Sequence, residues 1–268
     1  MPTASIRGVS MYYKEAGQGS ALILVPGLGG DSRAFNPIFP FMRKKGFRLV
    51  AFDPRGLGRS ESSLEGVSME QLVLDVLGLV DRLDIREAFF LGASLGALVV
   101  KNLAVACPRL VKGLILCTPP PVSGPLAMQW SKRLKELITE SPINELMARL
   151  LEAMVSPQYW TKNRVVLQEL ASQYGMDERT RRAMMRQLEV WTEQENEWFL
   201  PEVPCLILGG EQDRLVGKEE LKRISQLIPG SRLVILEGVG HHLILEAPWR
   251  VAQEVFRFAQ QAMGKMEA

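Results

Sequence analysis

Short apolar runs recur along the chain, and each one stops at glycine, proline or a polar residue. We predict buried strands at residues 21–25, 47–52, 88–91, 113–117, 205–208 and 233–236. Runs that are apolar at nearly every position are typical of strands buried on both faces, as in a parallel sheet. The opening segment, residues 6–15, is predicted instead to form an antiparallel hairpin at the sheet edge.

Helical patterns fill the gaps between these runs, at residues 32–44, 68–83, 95–107, 218–227 and 247–262. The second of them opens with Ser68-Met69-Glu70-Gln71, which has the form of a capping box. Strands that alternate with helices predict right-handed crossovers and helices on both faces of one sheet. The predicted fold class is therefore α/β, with a mostly parallel sheet.

The stretch from about residue 119 to about residue 200 breaks the alternation. It has no convincing strand, and it contains four of the five tryptophans: Trp130, Trp160, Trp191 and Trp198. Residues 126–139, 143–154, 158–172 and 178–198 each have the pattern of an amphipathic helix. Because the strand pattern resumes directly afterwards, we predict a helical cap over residues 119–200, inserted into a core of residues 1–118 and 201–268. A second, independent helical domain is the alternative.

Charge and composition exclude several classes of partner. The 32 Lys and Arg residues and 30 Asp and Glu residues give a net charge of +2, too balanced to attract nucleic acid or an anionic membrane. No apolar run approaches the ~18–20 residues that span a bilayer, and we see no signal peptide at the N-terminus. The three cysteines are odd in number and form no CxxC pair, which favours free thiols in a reducing compartment. We therefore expect a cytoplasmic protein.

The segment Gly92-Ala93-Ser94-Leu95-Gly96 matches the pattern G-x-S-x-G, between an apolar run and a helical pattern. In that pattern the serine lies on a sharp strand-to-helix turn, and the small residues around it let neighbouring backbone approach. The turn exposes the hydroxyl, and the NH groups of the following helix face developing negative charge. A capping serine in an ordinary turn is the structural alternative, but the context on both sides favours a nucleophile.

A serine hydroxyl needs a general base, and the chain has only two histidines, His241 and His242. Both follow the last predicted strand, so they are expected at the same sheet edge as Ser94. No Cys/His/Asp spacing supports a metal site there. An imidazole base also needs an orienting carboxylate, and Glu211 and Asp213 both follow the penultimate strand. On these grounds either acid and either histidine remains a candidate.

Taken together, these segments resemble the α/β-hydrolase superfamily, in particular its small capped esterases, lactonases and carbon–carbon bond hydrolases. Residues 26–29 (PGLG) are similar to the family's His-Gly-x-Gly oxyanion segment, with proline in place of histidine. Residues 53–60 are similar to its D-x-R-G-x-G-x-S turn, residues 209–213 to G-x-x-x-D, and residues 238–248 to its G-x-G-H…E-x-P ending. The resemblance implies an eight-stranded, mostly parallel sheet with helices on both faces and an inserted helical cap.

The resemblance also implies site residues, namely Ser94 as nucleophile, Asp213 as acid and His241 as base. The backbone NH groups of Leu28 and Leu95 would form the oxyanion hole. His242 is then expected at the pocket edge or on the surface. Trp130, Trp160 and Trp191 are the expected pocket residues of the cap.

The implied reaction is cleavage of a carboxylic ester or lactone through an acyl-enzyme, with no metal or organic cofactor. Carbon–carbon bond hydrolysis and cofactor-free perhydrolysis use the same triad, and a non-catalytic ligand receptor on this scaffold is a further alternative. Serine at position 94 excludes the relatives that use aspartate there, the haloalkane dehalogenases and epoxide hydrolases. The expected partner is a small apolar ester or lactone, with no nucleic acid and no membrane span; a homodimer is left open.

Overall fold

A computed structural model describes residues 2–61, 67–194 and 198–266. Within them lies a sheet of eight strands in the order β1-β2-β4-β3-β5-β6-β7-β8. The strands are β1 (Thr3–Ile6), β2 (Val9–Ala16), β3 (Ser20–Val25), β4 (Phe47–Phe52), β5 (Ala88–Ala93), β6 (Val111–Cys117), β7 (Cys205–Gly210) and β8 (Arg232–Leu236). β2 is antiparallel to β1 and β4, and the other neighbours are parallel. The predicted mostly parallel sheet with an edge hairpin is confirmed.

Ten α-helices lie among the described residues. They are α1 (Phe39–Lys44), α2 (Met69–Arg82), α3 (Leu95–Ala106), α4 (Gly124–Glu140), α5 (Leu146–Met154), α6 (Pro157–Ser172), α7 (Glu178–Thr192), α8 (Gly217–Leu227), α9 (Leu243–Glu246) and α10 (Pro248–Met266). Ser68 caps the N-terminus of α2 as predicted, because its Oγ accepts a hydrogen bond of 3.1 Å from the Gln71 amide.

Successive residues of the central strands enter two separate apolar cores. In β3, Ile23 and Val25 pack in the core that includes residues of α2, α3 and α8. Leu22 and Leu24 pack in the opposite core, with residues of α1 and α10. Helices therefore cover both faces of the sheet, which is why these strands are apolar at every position.

The single helix that the pattern predicts over residues 32–44 is wrong. The structure has a 3-10 turn at Ser32–Phe35 and then the short helix α1. Pro37 explains the break, because proline lacks the NH that a helix interior needs and clashes with the preceding turn. Pro40 is tolerated, because it lies in the first turn of α1.

Between β6 and β7 the chain forms α4, α5, α6 and α7, which we call the inserted helices. The predicted extension of the last of them to Trp198 is wrong, since α7 ends at Thr192. Trp198 is buried in the main core outside that helix, so its apolar character reflects core packing and not a longer helix; residues 195–197 lie outside the described residues. Across the described ranges, no helix is both long and apolar enough to cross a membrane.

Candidate active site

Ser94 lies between β5 and α3, at the carboxyl edge of the sheet. Its backbone has a φ of +50° and a ψ of −117°, a conformation that costs strain in any residue with a side chain. The Ser94 amide donates a hydrogen bond of 2.9 Å to the Cys117 carbonyl oxygen at the end of β6. The strained turn therefore carries the side chain beyond the strand end, where Ser94 lines a cavity.

Two glycines leave room for this turn. A Cβ on Gly92 would lie 2.2 Å from the Gly96 carbonyl oxygen, and a Cβ on Gly96 would lie 2.2 Å from the Val25 carbonyl oxygen. Contacts that short are excluded for any side chain. The glycines of the G-x-S-x-G pattern are therefore required by the close approach of α3 to β5 and β3.

Asp213 follows β7, and its side chain is fully buried. Its Oδ2 lies 2.8 Å from His241 Nδ1. Its Oδ1 accepts backbone hydrogen bonds of 2.7 Å from Leu215 and 3.0 Å from Val216. Because the carboxylate engages Nδ1, it favours the tautomer with the proton on Nδ1 and leaves Nε2 as the proton acceptor.

The loop that carries His241 is held by the corner between α5 and α6. The His241 amide donates a hydrogen bond of 2.7 Å to the Met154 carbonyl oxygen. The Glu246 carboxylate bridges the two segments, accepting from the amides of Gly240 and Ser156 at 3.0 Å each. A Cβ on Gly240 would lie 2.4 Å from the Ser156 nitrogen. The imidazole is thus positioned from the inserted helices as well as from the sheet.

Glu211, the other candidate acid, and the buried cysteines have surroundings that do not suit a catalytic role. Glu211 is exposed, where it accepts a hydrogen bond of 3.1 Å from the Gly238 amide and lies 3.4 Å from Lys218 Nζ. Burial raises the pKa of Cys117 and of Cys205 to about 12. Neither thiol therefore forms the thiolate that a cysteine nucleophile requires.

Two cavities reach both Ser94 and His241. The larger of the two, which we call the larger cavity, has a volume of about 110 Å³. The inserted helices supply much of its apolar wall, through Leu134, Met147, Leu150, Leu151 and Met154. Its other polar side chains are Thr118, Tyr174 and His242. Among the described residues that line it there is no lysine, arginine, aspartate or glutamate.

A second cavity of about 30 Å³, the smaller cavity, reaches the same serine and histidine. Trp130 and Trp191 line it, and so do Pro120, Pro121, Leu215 and Val216. Trp160 lies elsewhere: it is half-buried against the cluster of Met147, Leu151 and Ala171, and it lines neither cavity. The structure therefore brings two of the three predicted tryptophans to the site.

The predicted oxyanion segment, residues 26–29, packs directly against the serine turn. A Cβ on Gly27 would lie 2.9 Å from the Ala93 carbonyl oxygen and 3.2 Å from Ser94 Cβ. Leu28 lines both cavities, and Leu95 lines the smaller one at the start of α3. Both residues whose amides are the predicted donors thus border the space in front of Ser94.

His242 lies on the wall of the larger cavity. Burial, with a smaller contribution from the neighbouring His241, lowers the pKa of its imidazole to about 4. His242 is therefore uncharged at neutral pH and adds a polar but neutral group to the cavity.

The low pKa of His242 makes a prediction about stability at acid pH. Below its usual pKa of about 6.5 the unfolded chain takes up a proton, whereas the folded chain does not until about pH 4, so stability falls as the pH drops through that window. The wild-type protein is therefore expected to lose free energy of unfolding between about pH 7 and pH 4.5. Substitution His242→Gln is expected to make that loss smaller by about 2 to 3 kcal/mol. Urea unfolding of both proteins at the two pH values checks this, and identical losses would contradict it.

Two residues near the site are not predicted from the sequence. Gln187, on α7, is buried, and its Oε1 accepts a hydrogen bond of 2.8 Å from the Gly29 amide. Tyr174 lines the larger cavity, with the Arg33 guanidinium 4.2 Å from its ring centroid. Neither belongs to a motif. The one signal for Gln187 was a polar residue on the apolar side of an amphipathic helix.

A family model described as serine aminopeptidase, S33 (Hydrolase_4), matches residues 18–248. That range runs from just before β3 to the start of α10, and it includes Ser94, Asp213 and His241.

Individual proteins resemble the chain over different lengths. The provisionally named non-heme bromoperoxidase BpoC of Mycobacterium tuberculosis is 33% identical over 109 residues, which span 40% of this chain and only 41% of that protein. Serine hydrolase BPHL of Mus musculus is 24% identical over 274 residues, covering 96% of this chain and 84% of that protein.

Among solved structures, the enol-lactonase of Burkholderia xenovorans LB400 is similar, with a TM-score of 0.85 and 25% identity over 97% of this chain and 100% of that one. The fold, the strand order and the family match agree. The chain belongs to the Hydrolase_4 (serine aminopeptidase, S33) family and has the α/β-hydrolase fold.

Proposed function

We propose that the protein is a serine hydrolase that cleaves a neutral, apolar carboxylic ester or lactone through an acyl-enzyme on Ser94. The observation that carries the proposal is the buried hydrogen bond between Asp213 and His241, because His241 lines the same cavity as Ser94. A serine on a strained turn, a histidine with a fixed tautomer and a buried carboxylate are the parts that nucleophilic acyl transfer needs.

In the proposed cycle, His241 Nε2 accepts the proton of the Ser94 hydroxyl while Oγ attacks the substrate carbonyl. Asp213 stabilises the imidazolium that forms and keeps Nδ1 protonated. The amides of Leu28 and Leu95 donate hydrogen bonds to the oxyanion of the tetrahedral intermediate. The intermediate collapses when the imidazolium protonates the leaving alcohol. Water activated by the same imidazole then releases the acid and restores Ser94.

The uncharged cavities support a neutral substrate. Moving an ionised carboxylate or ammonium into apolar surroundings without a partner costs several kcal/mol, and the described residues that line the two cavities offer neither Lys or Arg nor Asp or Glu. This disfavours an aminopeptidase substrate, whose terminal ammonium needs a carboxylate partner. The same argument disfavours an acyl group that ends in a carboxylate.

Hydrolysis of p-nitrophenyl esters by the wild-type protein tests the proposal. We expect kcat/KM to rise from the acetate to the hexanoate by up to about 4-fold per methylene, because each buried CH₂ contributes about 0.8 kcal/mol. The adipate half-ester, which ends in a carboxylate, should be at least about 10-fold poorer than its neutral isostere, the 6-methylheptanoate ester.

Other outcomes of this assay reassign the activity. No hydrolysis at any chain length would overturn the ester proposal, and turnover of a β-diketone in its place would move the reaction to carbon–carbon bond cleavage. Equal rates for the adipate half-ester and its isostere would refute the neutral-substrate part alone. Hydrolysis of alanine p-nitroanilide at rates comparable to the esters would favour the aminopeptidase activity after which the family model is named.

A further inference from the structure

The contact between α7 and residues 26–29 bears on catalysis, beyond holding the fold together. The geometry points to Gln187 as a positioning residue for the oxyanion hole, so that the inserted helices contribute to the rate of the reaction as well as to the shape of the pocket. The inference rests on the proposed function, because it concerns how the Leu28 amide is held during acyl transfer.

The hydrogen bond from the Gly29 amide to Gln187 Oε1 is 2.8 Å long, and Gln187 is only 5% exposed. Gly29 directly follows Leu28, so this bond fixes the peptide unit next to the amide that is proposed to donate to the oxyanion. A buried NH without an acceptor is strongly unfavourable, because it has lost its hydrogen bond to water and gained none in return. The segment without Gln187 would therefore relax toward another acceptor.

The same face of α7 also packs against this segment. Met184 lies one helical turn before Gln187 and is fully buried. A Cβ on Gly29 would lie 2.8 Å from Met184 Cε, and Gly29 has a φ of +71°. A hydrogen bond and a close van der Waals contact thus hold residue 29 from one helix.

α7 is itself anchored to the core at two other points. Arg179 Nη2 donates a hydrogen bond of 3.0 Å to the Gly58 carbonyl oxygen. The Arg186 guanidinium donates two hydrogen bonds, of 3.0 Å and 2.6 Å, to the Val67 carbonyl oxygen. α7 is therefore docked on the core by contacts that do not involve Gln187, and it stays docked when either Gln187 or one of these two anchors is replaced.

Small displacements of an oxyanion donor have large effects on rate. Removal of one donor lowers kcat by about 10²- to 10³-fold, and a misplacement of about 1 Å costs up to about 10²-fold. In this case the donor remains but loses its support. We expect Gln187→Met to lower kcat by about 10- to 100-fold while KM changes by less than about 2-fold.

Gln187→Met is the informative variant because methionine has a similar volume, favours helices and cannot accept this hydrogen bond well. Arg186→Gln is the matched control, because it weakens the neighbouring anchor of α7 without contacting residues 26–29.

A trifluoromethyl ketone adds a second measurement, since its adduct with Ser94 places an oxyanion in the same hole. We expect its inhibition constant to rise in Gln187→Met by the same factor by which kcat falls, and Arg186→Gln to resemble the wild type in both.

Circular dichroism and urea unfolding establish that each variant is folded, and Gln187→Leu replaces Gln187→Met if the latter is not. An unchanged kcat in the folded variant overturns the inference, as does a rise in KM alone. Equal losses in Gln187→Met and Arg186→Gln also overturn it, because they would mean that Gln187 acts only by docking α7. Failure of the wild type to hydrolyse any ester would instead overturn the proposed function.

Discussion

Replacing Ser94 with alanine is expected to lower kcat for p-nitrophenyl butyrate by about 10⁴-fold or more. The variant loses the only group that can form the acyl-enzyme in the proposed cycle, while both cavities and the amides of Leu28 and Leu95 stay in place. KM should change little, because the hydroxyl contributes to the transition state and not to binding of the ground state. Steady-state kinetics with thoroughly purified protein measure both constants.

A fluorophosphonate probe provides an independent check on the same residue. It should label the wild-type protein with one-to-one stoichiometry and leave Ser94→Ala unlabelled, and mass spectrometry should locate the adduct on the peptide that contains residue 94. Equal hydrolysis by both proteins, or labelling of the alanine variant, would mean that another side chain is the nucleophile.

Substitution Asp213→Asn is expected to have the next largest effect, a fall in kcat of about 10³- to 10⁴-fold. An asparagine at this position can turn its NH₂ group toward His241 Nδ1, which favours the tautomer whose Nε2 carries the proton and cannot accept one from Ser94. The backbone bonds that Oδ1 accepts from Leu215 and Val216 can form with the amide oxygen, so the fold should persist. Ester hydrolysis and thermal unfolding measure the two effects separately.

Glu211→Gln is the matched control for this substitution. It makes the same chemical change on the same loop, but Glu211 is exposed and interacts with the Gly238 amide and with Lys218. Its kcat should stay close to that of the wild type, because Glu211 is exposed and lines neither cavity. A larger loss in Glu211→Gln than in Asp213→Asn would transfer the role of the acid to Glu211.

Most of the sheet could be predicted from the sequence because burial on both faces leaves a local signal. Strands β3 to β8 each coincide with an apolar run that ends in a turn. The single helix predicted over residues 32–44 is wrong for a local reason too, since Pro37 and Pro40 lie within a range whose apolar spacing is helical. Proline outweighs that spacing, because a helix interior cannot accommodate it.

The site residues also fall into two groups, those with a local signal in the sequence and those without one. The serine turn and the Asp213 and His241 loops follow strand ends, and the topology brings these ends to one edge of the sheet. Gln187 lies 158 positions from Gly29 along the chain, and only the docking of α7 brings them together. The same limitation applies to Trp160, since an amphipathic pattern predicts that a helix has a buried face but not which neighbour covers it.

The contacts between the His241 loop and the corner of α5 and α6 have different consequences for substitutions than for insertions and deletions. Two of those contacts use the Met154 carbonyl oxygen and the Ser156 amide, which every replacement except proline at position 156 retains. A change of side chain on α5 can therefore reshape the larger cavity and leave the imidazole in place. Gain or loss of one residue between positions 154 and 156 would shift the main chain and displace the imidazole with it. Libraries and natural divergence toward new substrates should thus vary amino-acid identity along α5 and preserve chain length at its end.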